Sequence, residues 1–290
     1  MKNKIKTMAL LAAILLLSAC DKQDVASPDA SKTREVTFKI NALESGGQTP
    51  MRAPTRAIAA PTYLLVLDEF GGSIVAGNTV ERTTDALENL TLSLTYGQHT
   101  LYFVAAKNCY DSYNTTAMTA TWTGNADHKL NYVWATKVVL DVNENTPANQ
   151  AVTLALAVAQ VQVQCNDAFP ANTGNMAVTA ETGSWTLNLR TLQGVTSEVS
   201  TTANVSSYAG QTGKTMGFFT FIPASGNIGD LTITVYNNAQ TPEELASHTL
   251  EDVPVRLGYV SHYAGLFFSR NQPFSFTFED DWKGTDEYTY

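Results

Sequence analysis

The stretch that most constrains the fold is 152–165. Val152, Leu154, Leu156 and Val158 are apolar at every second position, and Val161, Val163 and Cys165 continue the alternation on the other parity. Side chains along a strand alternate between faces, so a one-residue change of parity turns the buried face over. A β-bulge can do this. So can a strand that leaves one sandwich and begins a second, and that reading puts a domain boundary near Ala159.

The same period runs through most of the chain. Val36, Phe38, Ile40 and Ala42 share a face, and Thr62 to Phe70 is apolar on both faces, as a central strand requires. Gly71-Gly72 turns that strand back toward Ser73–Ala76. Further alternating sets are Leu90/Leu92/Leu94, Leu130/Tyr132/Trp134, Val138/Leu140/Val142, Met176/Val178/Ala180, Trp185/Leu187/Leu189, Leu231/Ile233/Val235 and Phe274/Phe276/Phe278. Thr100–Ala106 and Met216–Ile222 read as strands too. Leu250–Leu257 reads as an edge strand, because Pro254 cannot donate to a ladder. Asn108–Lys129 reads as an irregular excursion, and Gly194–Lys214 as a polar stretch with little to bury. No strand–helix–strand rhythm is present, so the expected class is all-β, built of sandwiches.

The chain begins with Lys2, Lys4 and Lys6, followed by an apolar run from Met8 to Leu17. That run is about ten residues, too short to span a bilayer and right for a secretory leader. The leader ends Leu17-Ser18-Ala19-Cys20, which resembles the lipobox of bacterial lipoproteins. The resemblance implies cleavage before Cys20 and acylation there; an ordinary secretory leader with an incidental Cys20 is the alternative. A lipid-modified end would hold the protein on a membrane without a spanning helix. The polar residues after Cys20 read as a tether. The expected division is a signal peptide at 1–19, a lipidated tether at 20–34, and β-sandwiches at 35–158 and 159–290.

Little in the chain points to chemistry. The formal charge is −9, and removing the leader's three lysines makes it more negative, so no nucleic-acid partner is expected. Cys109 and Cys165 read as two buried free thiols. His99, His128, His248 and His262 fall into no ligand spacing and read as surface or edge histidines. Asp141, Asn143 and Asn145 imitate the opening of a calcium loop, but Thr146 replaces its glycine and Val152 its closing glutamate. Glu279-Asp280-Asp281 reads as a solvated acidic edge. Phe218, Phe219 and Phe221 read as core. No catalytic residue, metal or cofactor is expected, and such a body binds or assembles instead of catalysing.

Several ordered segments carry a family resemblance. They are the lipobox; Tyr63-Leu64-Leu65-Val66-Leu67-Asp68 running into Gly71; Ala157 to Val163 ahead of Pro170; and the end, from Val253-Pro254-Val255 through Gly265-Leu266-Phe267 to Phe276-Thr277-Phe278 and Trp282. In this order they resemble the fimbrillin-like lipoproteins of Bacteroidales, the subunits of type V pili, and especially their anchor subunits. Ala157 departs from the arginine expected there, which bears on the subfamily more than on the fold. The resemblance implies two tandem transthyretin-like sandwiches and a place in a cell-surface fimbrium on the outer membrane. It implies fimbrial subunits as partners, joined by strand donation. In stalk subunits an Arg-specific protease removes the first strand; here that strand would be Val36–Ala42, with Arg52 and Arg56 as possible processing sites. A processed stalk or tip fimbrillin is one alternative. A surface glycan-binding lipoprotein is another, with Trp122, Tyr110 and Tyr113 as its candidate platform.

Overall fold

Alternation becomes strand pairing wherever an apolar face finds a second layer to cover it. The computed structural model describes residues 31–42, 61–83, 89–123, 128–269 and 274–279, with 276–279 as backbone. In chain order the strands are β1 (Thr33–Ala42), β2 (Tyr63–Phe70), β3 (Ser73–Ile74), β4 (Val80–Thr83), β5 (Leu90–Thr95) and β6 (Gly97–Ala106). Then come β7 (Ser112–Asn114), β8 (Thr119–Thr121), β9 (Val133–Val142), β10 (Asn149–Leu156), β11 (Val158–Cys165), β12 (Thr173–Ala180), β13 (Thr186–Asn188) and β14 (Gln193–Gly194). The series ends with β15 (Val199–Asn204), β16 (Lys214–Phe221), β17 (Leu231–Asn237), β18 (Glu244–Leu250), β19 (Val260–Gly265) and β20 (Ser275–Glu279). Among the described residues the helical segments are short 3₁₀ turns, such as Ala76–Asn78.

In the first sandwich, the layer β5–β1–β10 covers the layer β9–β6–β2, with β3 and β4 beside β2. β10 belongs to both layers. Its residues up to Leu154 pair with β1, while Ala155 and Leu156 pair with Ala135 and Trp134 of β9. Gly97 has φ of 130°, which lets the chain pass from β5 in one layer to β6 in the other within a tight corner. In the second sandwich, β16–β11–β19–β20 packs on β15–β12–β17–β18.

Each sandwich has its own apolar cluster. Val158 belongs to the first and its chain neighbour Ala159 to the second. β16 is buried on both faces, with Phe219 and Phe221 in the first cluster and Phe218 in the second. A small sheet, β14–β13–β8–β7, draws strands from both halves. Leu187 and Leu189, which follow Ala159 in sequence, accordingly pack into the first core.

Three expectations are corrected. Leu250–Leu257 is not an edge strand: β18 ends at Leu250, and Pro254 makes one isolated bridge to Asn227. Val253 and Val255 are buried there, and the Pro254 carbonyl accepts from the Ser261 hydroxyl, so the stretch packs into the second core. Gly194–Lys214 is not bare of core residues, since β15 pairs with β12 and buries Val199 and Ala203, with Val205 following. Asn108–Lys129 contains the β7–β8 hairpin, whose turn is closed by Asn114 accepting from the Thr116 and Ala117 amides.

Candidate functional site

β1 fills a slot between two strands. It runs parallel to β10, from Thr37 opposite Asn149 to Ala42 opposite Leu154, and antiparallel to β5, from Thr33 opposite Thr95 to Phe38 opposite Leu90. Val36, Phe38 and Ile40 point inward and are buried, and Phe38 meets Phe103 of the facing layer with ring centroids 5.4 Å apart. Such side chains contribute about 1.5–3 kcal/mol each on burial. Arg34 donates to the Glu144 carbonyl at 2.8 Å, and the Thr37 and Thr91 hydroxyls lie 2.9 Å apart. A strand held by two ladders and alternate apolar pockets is the arrangement that strand donation uses. Cys20, Arg52 and Arg56 lie outside the described residues. So do Asp280, Asp281 and Trp282 at the far end.

Against β5, one wall of this slot, lies a buried polar centre that includes His99, a residue expected at the surface or an edge. His99 is 1% exposed and Asp68 is fully buried. His99 Nδ1 lies 2.7 Å from Asp68 Oδ1, and Nε2 lies 2.8 Å from the Thr95 carbonyl. Asn78 donates to Asp68 Oδ2 at 2.8 Å and to the Ser93 carbonyl at 3.2 Å. Burial pulls the pKa of the imidazole down, but its bonds to Asp68 and Thr95 and the charge of Asp68 outweigh that and hold it above the ordinary histidine value. The sequence signal was a mid-strand Asp in an apolar run and a His on the same strand parity as Leu101 and Phe103, which only register could connect.

The aromatic residues of 108–123 form no platform. Trp122 and Tyr110 are buried and Tyr113 is half-buried. Tyr110 meets Tyr63, Tyr113 and Trp122 edge-on, and Trp122 packs on Phe221 at 5.2 Å. Tyr110 donates to Glu81, and burial, reinforced by that carboxylate, pushes its hydroxyl pKa up.

The calcium-like loop is closed on itself. Asn143 Oδ1 accepts from the Asn145 amide at 2.9 Å, and the Thr146 hydroxyl donates to the Asp141 carbonyl at 3.1 Å. Among the described residues no group of three or more His, Cys, Asp or Glu could hold a metal ion. Cys109 and Cys165 are free thiols, the first half-buried and the second buried. Burial and the adjoining Asp167 push Cys165 up to about 12, so it is not a nucleophile at neutral pH.

No family model and no curated protein matches the sequence of this chain. Solved structures do match its fold. A candidate polysaccharide-binding protein from Bacteroides thetaiotaomicron is similar with a TM-score of 0.55 at 9% identity, over 85% of this chain and 96% of its own. A candidate adhesin from the same organism has a TM-score of 0.54 at 11% identity, over 87% of this chain and 98% of its own. The fimbrial anchor protein Mfa2 from Porphyromonas gingivalis has a TM-score of 0.47 at 15% identity, over 80% and 91%, too loose to carry an argument. At these identities the likeness establishes a shared all-β architecture.

Proposed function

We propose that this chain is a lipid-anchored subunit of a cell-surface fimbrium, joined to its partners by strand complementation and placed at the membrane end. The observation that carries the reading is the seat of β1: two ladders and three buried side chains define a slot that a strand of the same apolar pattern would fit. The likeness of the fold to that of the candidate adhesin from Bacteroides thetaiotaomicron agrees with it. In this reading Cys20 carries the lipid, Arg52 and Arg56 stay uncut, and β1 remains in its own slot. The chain divides near Ala159 into sandwiches 35–158 and 159–290, with the hand-over between apolar clusters at Val158 and Ala159 in support. The glycan-binding alternative loses its proposed platform, since Trp122 and Tyr110 are core.

The test is fibre retention. Cells carrying the wild-type chain should hold surface fibres that co-purify with it, and Cys20→Ala should release both to the medium. Fibres that stay cell-bound with the Cys20→Ala protein, or fatty-acid label that persists on it, would overturn the anchoring reading.

A further inference from the structure

Among the described residues β5 ends its sheet, and its ladder partner is β1. A slot whose wall depended on the strand inside it would collapse when that strand left. β5 has a second attachment. The Tyr96 amide donates to the Lys32 carbonyl at 2.9 Å. By the two-residue alternation of an antiparallel ladder, the main-chain groups of Leu94 and Leu92 also face β1, and those of Ser93 and Thr95 face away. The Ser93 and Thr95 carbonyls are the ones that Asn78 and His99 take up. Both donors are themselves held by the single carboxylate of Asp68, one on each oxygen.

We propose that Asp68, Asn78 and His99 form a two-armed latch that fixes β5 to the opposite layer independently of β1, so that the slot keeps its wall when the strand filling it is loosened or replaced. The purpose of the latch rests on the strand-complementation reading; its chemistry does not. The residues are positioning residues, and they also cap edge carbonyls that would otherwise invite another strand.

The His99 arm depends on protonation. The ring sits between a carboxylate and a carbonyl, both acceptors, so both bonds exist only when both nitrogens carry protons. A neutral ring keeps one proton, and the charged acceptor Asp68 holds it more strongly. The bond to Thr95 is then the one lost. The charged group acting on His99 is Asp68. From the other packed elements, Phe70 stacks on the ring, Leu140 of β9 lies opposite it, and Asn78 is neutral. Glu69 is engaged with Tyr102 and Arg190, and Asp141 is exposed. A raised histidine pKa means that the arm is complete below the ordinary value and is lost as pH rises through the folded one.

Hydrogen exchange and imidazole NMR on the full chain test this. At pH 6 the amides of Leu92 and Leu94 should exchange about tenfold faster or more in Asn78→Ala and in His99→Gln, while Val161 and Val163 of β11 are unchanged. In wild type the β5 amides should lose protection through the titration of His99 beyond the ordinary base-catalysed rise, and His99→Gln should abolish that step. Should His99→Gln fail to fold, wild-type NMR decides alone: two protonated ring nitrogens are expected at pH 6. They should persist in Phe38→Ala, which loosens β1. One protonated nitrogen, ring signals lost together with β1, or β5 exchange indifferent to both variants would overturn the latch. Fibres that stay cell-bound with the Cys20→Ala protein overturn the anchoring reading and leave these outcomes as they stand.

Discussion

Phe38 of β1 packs on Phe103 of β6 across the first sandwich, their centroids 5.4 Å apart and both rings fully buried. This contact ties the strand in the slot to the layer beneath it. Phe38→Ala removes the largest inward side chain of β1 and leaves a cavity. It should cost about 3–5 kcal/mol of stability, measured by denaturant unfolding, and should raise exchange of the β1 amides before those of β11.

The two halves are also joined at their surface. Arg190 donates to Glu69 at 2.9 Å, and Lys137 donates to the Arg190 carbonyl at 3.0 Å. The Tyr102 hydroxyl, then Arg190, hold the Glu69 carboxyl below the usual range. A depressed carboxyl pKa stabilises the fold above its unfolded value and ceases to do so as pH falls through the folded one. Glu69→Gln should therefore cost about 0.2–1 kcal/mol at neutral pH and flatten part of the acid limb of a stability–pH curve. Salt should shrink the neutral-pH difference.

Lys129 lines a cleft between the halves with Leu130, Trp185 and Phe219. Burial lowers its pKa to about 8. An ordinary lysine, at about 10.4, is almost wholly charged at pH 8. Brief acylation followed by peptide mapping should show the reactivity of Lys129 rising with a midpoint near 8. A midpoint near the ordinary value would contradict this.

Gly217 brings β16 close to β11. A Cβ there would meet the Val161 carbonyl at 2.5 Å, a backbone atom that cannot swing aside. Gly217→Ala should destabilise the second sandwich by about 1–3 kcal/mol, the usual cost of overpacking, seen as faster exchange in β11 and β16.

Many strand positions were legible from apolar alternation, because period two has one structural meaning on a half-buried strand. But Leu130 and Tyr132 alternate and yet precede β9, and of Trp185, Leu187 and Leu189 only Leu187 lies in β13. Val36/Phe38/Ile40 and Met176/Val178/Ala180 are buried as that pattern requires. Partners were not legible. Leu187 and Leu189 alternate correctly, yet only the pairing of β13 with β8 sends them into the first core. Register also hid the polar cluster, since Asp68 and His99 are 31 residues apart and meet only through the pairing of β2 with β6, with Asn78 brought in by the turn after β3. β15 escaped notice because Val199, Ala203 and Val205 are few and spread among threonines and serines. Trp122, Tyr110 and Tyr113 lacked alternation and looked available to a ligand, but an aromatic cluster needs no period to pack.

Intact-mass and N-terminal mass spectrometry of the mature protein from its native membrane decides whether the first strand is retained behind a lipidated Cys20. A membrane-end anchor should have its N-terminus at acylated Cys20, with Arg52 and Arg56 inside an unbroken chain. A mature protein beginning at Ala53 or Ala57 would mean that β1 has been removed and its slot filled by another strand. That result would make the chain a processed, polymerising subunit and rule out the membrane-end anchor.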